Sequence, residues 1–231
     1  LRAIWGDSAY RDPRGIDVAY LYRPDRVELV GSEARGTTRR SDSGRNVQLF
    51  TRPPLVATFR VRPQDGGTGG AGDAAAGATF TVINNHFTSK LQGASGAEKR
   101  RQQAEWVARL ASGAEAVTNL DPDRVVVLGD LNSTIDEDAY SALVGPAATD
   151  GGTPRLVNAA SHLPEPDRYS WRDGSQRLLL DHVLLTPTLD RTVQAVELPH
   201  VNSEASPRLE QVPGTAARSS DHDPVIVTLA P

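Results

Sequence analysis

Cysteine and methionine are both absent from the 231 residues. Without cysteine the chain has no disulfide framework, no thiolate metal site and no cysteine nucleophile, and its composition carries no mark of a redox compartment. No apolar run approaches the roughly 20 residues needed to cross a bilayer, so no membrane span is expected. Lysine is confined to Lys90 and Lys99, and the arginine excess reads first as a coding bias and second as phosphate recognition. Also missing are a glycine-flanked serine elbow, a glycine-rich phosphate loop with its lysine, and a His-Glu-x-x-His helix. These absences argue against covalent catalysis and against nucleotide hydrolysis through a phosphate loop.

What is present fits one soluble domain spanning residues 1–231, with 38% hydrophobic and 23% charged residues and enough chain for one sizeable core. The formal net charge of -4 speaks against a general electrostatic grip on nucleic acid and leaves room for a local basic groove. The sequence starts at Leu1 without an initiator and without a secretion-type segment. An upstream segment of the same protein is therefore expected to be missing.

Apolar patterning predicts strands at Ile16–Tyr22 and Val27–Val30, joined as a hairpin through Arg23-Pro24-Asp25. A loop is expected from Gly31 to Asn46, its arginines solvated or touching a polyanion. Alternation predicts strands at Leu55–Val61 and Thr79–Phe87, with a flexible Gly/Ala/Asp/Thr connection from Gln64 to Ala78. Ala104, Val107, Ala108, Leu110 and Ala111 recur at helical spacing, predicting a helix over Glu98–Ala111 that stops at Ser112-Gly113. Arg124–Leu128 reads as a strand buried on both faces. Later strands are expected at Leu178–Leu185, Val193–Leu198 and Val225–Leu229, with Leu143–Leu163 and Pro199–Ser219 mostly connecting segments.

Four apolar strands stop on residues that handle protons, phosphates or cations: Asn84-Asn85-His86, Gly129-Asp130-Leu131-Asn132, Asp181-His182 and Ser220-Asp221-His222-Asp223. Each alone has a bland explanation, such as an Asx turn, a satisfied core histidine or a strand start. Together they suit hydrolysis by an activated water, with a hard cation on oxygen ligands stabilising charge on a phosphoryl group.

These motifs, in this order, resemble those of the endonuclease/exonuclease/phosphatase superfamily, in its deoxyribonuclease I-like form and most like bacterial extracellular nucleases. The resemblance runs through Gly15–Pro24, Phe50–Leu55, Asn85-His86-Phe87, Gly129–Asn132, Leu180–Val183 and Ser220–Val225. It implies a four-layered α/β sandwich, two packed and mainly antiparallel β-sheets flanked by helices, N-terminally truncated here. It also implies that His222 acts on the nucleophilic water as base or as a phosphate donor while Asp181 holds its ring. Asp130 would orient or deprotonate the water, and Asn132 and His86 would donate to phosphoryl oxygens. Arg52 falls where such members place an arginine on the phosphate. Asp17 either supports the His86 ring or is a strand-end carboxylate meeting solvent or an arginine. Lys90 reads as merely exposed. Asp221 would bind the cation, Mg2+ or Mn2+ with Ca2+ as a further candidate. Members open with a strand, a helix and a second strand that supplies a metal-binding glutamate, and that glutamate is expected upstream of this chain.

The function so implied is metal-dependent hydrolysis of nucleic-acid phosphodiester bonds, DNA above all, by a monomer outside the cell or in the periplasm. The motifs read a phosphoryl group and not what hangs from it. A phospholipid head group or a small phosphate ester, as in sphingomyelinases and inositol phosphatases, therefore stays open as substrate. So does a degenerate, non-catalytic binding module.

Overall fold

The valine run that follows Asp123 forms a central strand, and its two faces carry two different cores. The computed structural model describes residues 1–5, 12, 14–36, 38–40, 46–63, 77–145 and 155–230. Strands β1 (Arg2–Trp5), β2 (Ala19–Tyr22), β3 (Val27–Ala34), β4 (Thr38–Arg40), β5 (Asn46–Gln48), β6 (Leu55–Val61) and β7 (Thr79–His86) precede helix α1 (Gly93–Ala111). Then come β8 (Val125–Asp130), α2 (Asp138–Val144), β9 (Val157–Asn158), β10 (Trp171–Asp173), β11 (Gln176–Leu178) and β12 (Asp181–Leu185). A single turn, α3 (Pro187–Asp190), leads to β13 (Val193–Glu197) and β14 (Ile226–Leu229).

Six strands form the main sheet in the order β3-β6-β7-β8-β12-β9. The β7–β8 pair is parallel and the others are antiparallel. A parallel pair needs a long crossover, and α1 supplies it. Side chains alternate across a strand, so one face presents Ile83, Val125, Val127 and Leu184 to Val107 and Leu110 of α1 and Leu143 of α2. The opposite face presents Ala57, Phe59, Val82, Val126 and Leu185 to Ile4, Tyr20 and Tyr22 of the β1–β2 sheet and to Val193, Val196, Val227 and Leu229 of the β13–β14 sheet. The result is an α/β sandwich whose sheets pack face to face, with helices on the outer side. Each wholly buried Val or Leu contributes ~1.5–3 kcal/mol, so the two cores are the main source of stability. Tyr20 ties the layers with a polar bond as well, its hydroxyl lying 2.7 Å from Leu55 O and 2.8 Å from Val82 O.

Several expectations are corrected. The hairpin expected between Ile16–Tyr22 and Val27–Val30 does not form: β2 pairs with β1, and β3 with β6. The turn at Arg23–Arg26 instead changes layers, because Tyr20 and Tyr22 pack on Phe59 across the sandwich while β3 joins the edge of the main sheet. The loop expected from Gly31 to Asn46 holds the end of β3 and the paired strands β4 and β5. The strand expected at Leu178–Leu185 is broken into β11 and β12, and β9 lies inside the expected connection Leu143–Leu163. Of the Gln64–Ala78 connection, residues 64–76 lie outside the described residues. Helix α1 begins five residues before Glu98 and ends where expected, with Ser112 as cap and Gly113 at φ 74°.

Candidate active site

The ladder registers bring three of the sequence-predicted side chains into one row. His86 is the partner of Asp130 across β7–β8, and Asp130 is the partner of Asp181 across β8–β12. Alternation puts all three on the face that bears Val82, Val126 and Leu185, so they stand where the inter-sheet apolar core ends. Gly129 makes this row possible. Its φ is +123°, and a Cβ there would meet Asn85 O at 1.9 Å, so only glycine lets β8 lie this close to β7 before Asp130.

Beyond Asp130 the chain turns tightly, with Asn132 at φ 47°. Asp130 Oδ1 accepts the Asn132 backbone N–H at 2.8 Å, and Oδ2 accepts its side-chain amide at 3.0 Å. The same amide nitrogen lies 3.3 Å from Phe87 O. Asn132 thus directs its amide hydrogens into the protein and orients Asp130, a different task from the phosphate contact that the resemblance implies. His182 pins the next residue: its Nε2 lies 2.8 Å from Ser133 O, and its Nδ1 lies 3.0 Å from the Asn158 amide. Burial holds this 1% exposed ring below its ordinary pKa, and the Tyr140 ring packs against it.

His222 comes from the other sheet, through a bridge between Trp171 and His222 just outside β14. Its Nδ1 is 2.6 Å from Asp181 Oδ2. Ser170 Oγ donates to the same oxygen at 2.7 Å and accepts the backbone N–H groups of Leu180 and Asp181. On the far side of the row, Arg52 Nη1 lies 2.8 Å from His86 Nδ1, and His86 Nε2 lies 3.5 Å from Asp130 Oδ2. Asp12 stands behind Arg52, its carboxylate 3.9 Å from Arg52 Nε and bound by Arg14.

The electrostatics follow from this crowding. Burial, reinforced by the charge of Asp181, raises the Asp130 carboxyl to about 6. Burial and then the Arg52 charge pull His86 down to about 4. For His222 burial disfavours the cation, but the hydrogen bond and charge of Asp181, with Asp130 and Asp221 behind, outweigh it and raise the ring to about 9. Burial lowers the Arg52 guanidinium from its ordinary value.

Asp130, Asp181 and His222 each offer one ligand atom, and those atoms lie within 4.8 Å of one another. Two carboxylates this close, one of them raised toward neutrality, are a donor set that a divalent cation relieves. Asp221, expected as the cation ligand, is exposed and outside this trio, in the bend that precedes the Trp171–His222 bridge. Of the two readings of Asp17, the geometry agrees with the strand-end carboxylate meeting solvent: it is exposed and its Oδ1 accepts its neighbour Val18 N–H at 2.9 Å, while His86 Nδ1 faces Arg52. Lys90 is paired, its Nζ 2.6 Å from Glu137 Oε2.

Sequence reasoning missed Asp12, Asn158 and Ser170, and placed His182 and Asp223 in its motifs without giving either a task at the site. Asp223 donates its N–H to Ser170 O at 2.7 Å, and its Oδ1 accepts the N–H groups of Asn202 and Ser203. It therefore fixes the segment behind His222. A serine inside the apolar frame Tyr169-Ser170-Trp171 was the one available signal.

The family model for the endonuclease/exonuclease/phosphatase family matches residues 4–222. Among solved structures, an endonuclease/exonuclease/phosphatase family protein from Bacteroides thetaiotaomicron aligns over 98% of this chain and 72% of its own, at 18% identity and TM-score 0.60. One from Bacteroides vulgatus aligns over 99% and 76%, at 19% identity and TM-score 0.58. A mannosyl-6-phosphatase from Bacteroides thetaiotaomicron aligns over 98% and 76%, at 16% identity and TM-score 0.57. Such likenesses speak for the fold. No curated protein matches the sequence.

Proposed function

The chain belongs to the endonuclease/exonuclease/phosphatase family, and from that premise we propose that it is a metal-dependent phosphodiesterase that cleaves nucleic acid, DNA in particular, by direct attack of water. The observation that carries this reading is the unbroken side-chain line Arg52, His86, Asp130, Asp181, His222 at the end of the inter-sheet core. It offers a base, two hydrogen-bond donors and a pair of carboxylates for a cation, and no serine, threonine or cysteine stands in it.

Asp130, raised to about 6, is poised near neutral pH to take a proton from water as its oxygen attacks phosphorus. His222, raised to about 9, is protonated at neutral pH and serves as a donor to a phosphoryl oxygen or to the departing oxygen, with Asp181 fixing its ring. His86 donates to a second phosphoryl oxygen. Asp130 and Asp181 would hold the cation, with Mg2+ or Mn2+ as the natural choices for an oxygen donor set, and His222 stays beside them as the protonated donor. When bound, such an ion supplies Lewis acidity and neutralises charge that develops on the phosphoryl group.

An extended polyanion is supported by arginines on both sides of the line. Arg14 stands beside Arg52, paired with Asp12, and Arg172 and Arg177, both paired with Glu204, lie on the β10–β11 hairpin that is bridged to His222, so a polyanion would exchange these ion pairs for phosphates. A second reading, a monoesterase for a phosphorylated sugar, is favoured by the fold shared with the mannosyl-6-phosphatase. The deciding experiment is conversion of supercoiled plasmid to nicked circles by the full protein with Mg2+ or Mn2+, beside a chelator control and a mannose 6-phosphate arm. Chelator-sensitive nicking supports the proposal. Release of phosphate from the sugar without nicking overturns the nucleic-acid part and supports the second reading.

A further inference from the structure

A guanidinium has donors only, whereas a neutral imidazole carries one hydrogen on either of its two nitrogens. Arg52 Nη1 lies 2.8 Å from His86 Nδ1, so that nitrogen must meet Arg52 as a lone pair, and the ring hydrogen sits on Nε2. Nε2 is the atom turned toward Asp130, 3.5 Å from its Oδ2. Arg52 is 8% exposed and stands behind the ring as seen from the row of His86, Asp130 and Asp181. Its backbone is stiff: Pro53 and Pro54 follow, both buried, and a residue before proline is confined to extended conformations. Phe50, fully buried, anchors the segment from the other side. The Asp12 carboxylate, 3.9 Å from Arg52 Nε, offsets part of the charge of a buried guanidinium.

We propose that Arg52 is a positioning residue: it locks His86 as the neutral tautomer protonated at Nε2, so that the ring offers a donor and not a base to a phosphoryl oxygen bound beside Asp130. The inference deepens the phosphoesterase reading and gives Arg52 a task other than holding the phosphate itself. Its sequence setting, Arg-Pro-Pro at the entrance to β6, is then a rigid arm that delivers one N–H to one ring nitrogen.

The test reads the ring and needs no turnover. The full protein is labelled with 15N in its histidines, and the His86 ring signals are assigned by their loss in His86→Gln. Long-range proton–nitrogen correlations at neutral pH then report which nitrogen carries hydrogen. Wild type is expected to show Nε2 protonated and Nδ1 bare. Arg52→Glu puts an acceptor opposite Nδ1 and is expected to place a hydrogen there, while Arg52→Lys keeps a donor and the wild-type pattern. Unchanged His182 signals, from a ring held by Asn158 and Ser133, report that a variant is folded. A wild-type ring protonated at Nδ1, or a folded Arg52→Glu with Nδ1 still bare, overturns the proposal.

Kinetics on the substrate found active supply a second readout that remains if Arg52→Glu does not fold. Arg52→Met, which removes the donor without adding an acceptor, is expected to lower kcat by ~10- to 100-fold, the usual effect of losing an outer-shell partner, with KM within about twofold. Arg52→Lys is expected to stay near wild type. A raised KM at unchanged kcat would mean direct phosphate binding and would overturn the proposal. A protein that hydrolyses no phosphoester leaves the ring measurement standing, so the two readings fail separately.

Discussion

Ser170 grips Asp181 from two directions, its hydroxyl donating to the carboxylate at 2.7 Å while accepting the Asp181 backbone N–H at 3.0 Å. One wholly buried serine thus fixes the carboxylate that orients His222.

Ser170→Ala leaves buried backbone N–H groups and a carboxylate oxygen short of a partner. We expect it to lower stability by ~1–3 kcal/mol, the usual cost of an orphaned buried polar group, and to lower kcat by ~10-fold or more through a loosened Asp181. Urea unfolding and steady-state kinetics check both parts. Full activity together with lost stability would mean that Asp181 does not depend on this bond for its place.

The pH profile separates the roles of Asp130 and His222. Asp130 must be ionised to take a proton, so kcat/KM should rise as pH passes about 6. His222 must be protonated to donate, so the rate should fall as pH passes about 9. A cation on Asp130 and Asp181 favours their ionised forms and, by its charge, the neutral form of His222, which moves both limbs to lower pH. A profile with a single rising limb near 9 would instead make His222 the base.

Gly129→Ala tests the close approach of β8 to β7. The added methyl would meet a backbone carbonyl, which cannot swing away, at a φ that alanine rarely adopts. A loss of at least ~2 kcal/mol is expected from strain and displaced backbone together. Urea unfolding measures it. A variant with wild-type stability would mean that β8 has room for a side chain beside Asn85 O.

Asp223→Ala removes the acceptor of two backbone N–H groups and of the Ser203 hydroxyl. Hydrogen bonds to a carboxylate are worth ~1.5–3 kcal/mol, and a loss of that order is expected. Burial alone would raise this carboxyl, but the bonds from Ser203, Asn202 and His200 outweigh it and hold it below its ordinary value. Its stabilisation is therefore fully present above the unfolded carboxylate pKa and is lost as pH falls through the folded one. In acid, wild type and variant should converge. A gap that persists at low pH would argue for packing and not charge.

Much of the main sheet was legible because its strands are apolar and alternate. Val125–Val127 and Leu55–Val61 announced themselves, and the polar residues at their ends marked where the core stops. What could not be read was pairing. Nothing in Ile16–Tyr22 says that its partner is Arg2–Trp5 and not Val27–Val30, since that choice depends on Tyr20 and Tyr22 meeting Phe59 from the facing sheet. The site divides in the same way. His86, Asp130, Asn132, Asp181 and His222 stand together, and so does Arg52. The tasks of Asn132 and Arg52 turned on geometry, because whether an amide or guanidinium points outward or at a neighbour leaves no trace in residue type. Asp12 was invisible for a related reason, being an ordinary polar residue whose importance comes from a partner, Arg52, far along the chain.

The parallel β7–β8 ladder and the antiparallel β8–β12 ladder share Asp130 as their common rung. Neighbouring strands sit ~4.8 Å apart wherever they are hydrogen-bonded, so the backbone acts as a ruler, spacing its three side chains independently of the loops around them. Insertions at the rim can therefore reshape what the protein admits while the measured interval stays constant, and a slip of one residue in either ladder would erase it at once.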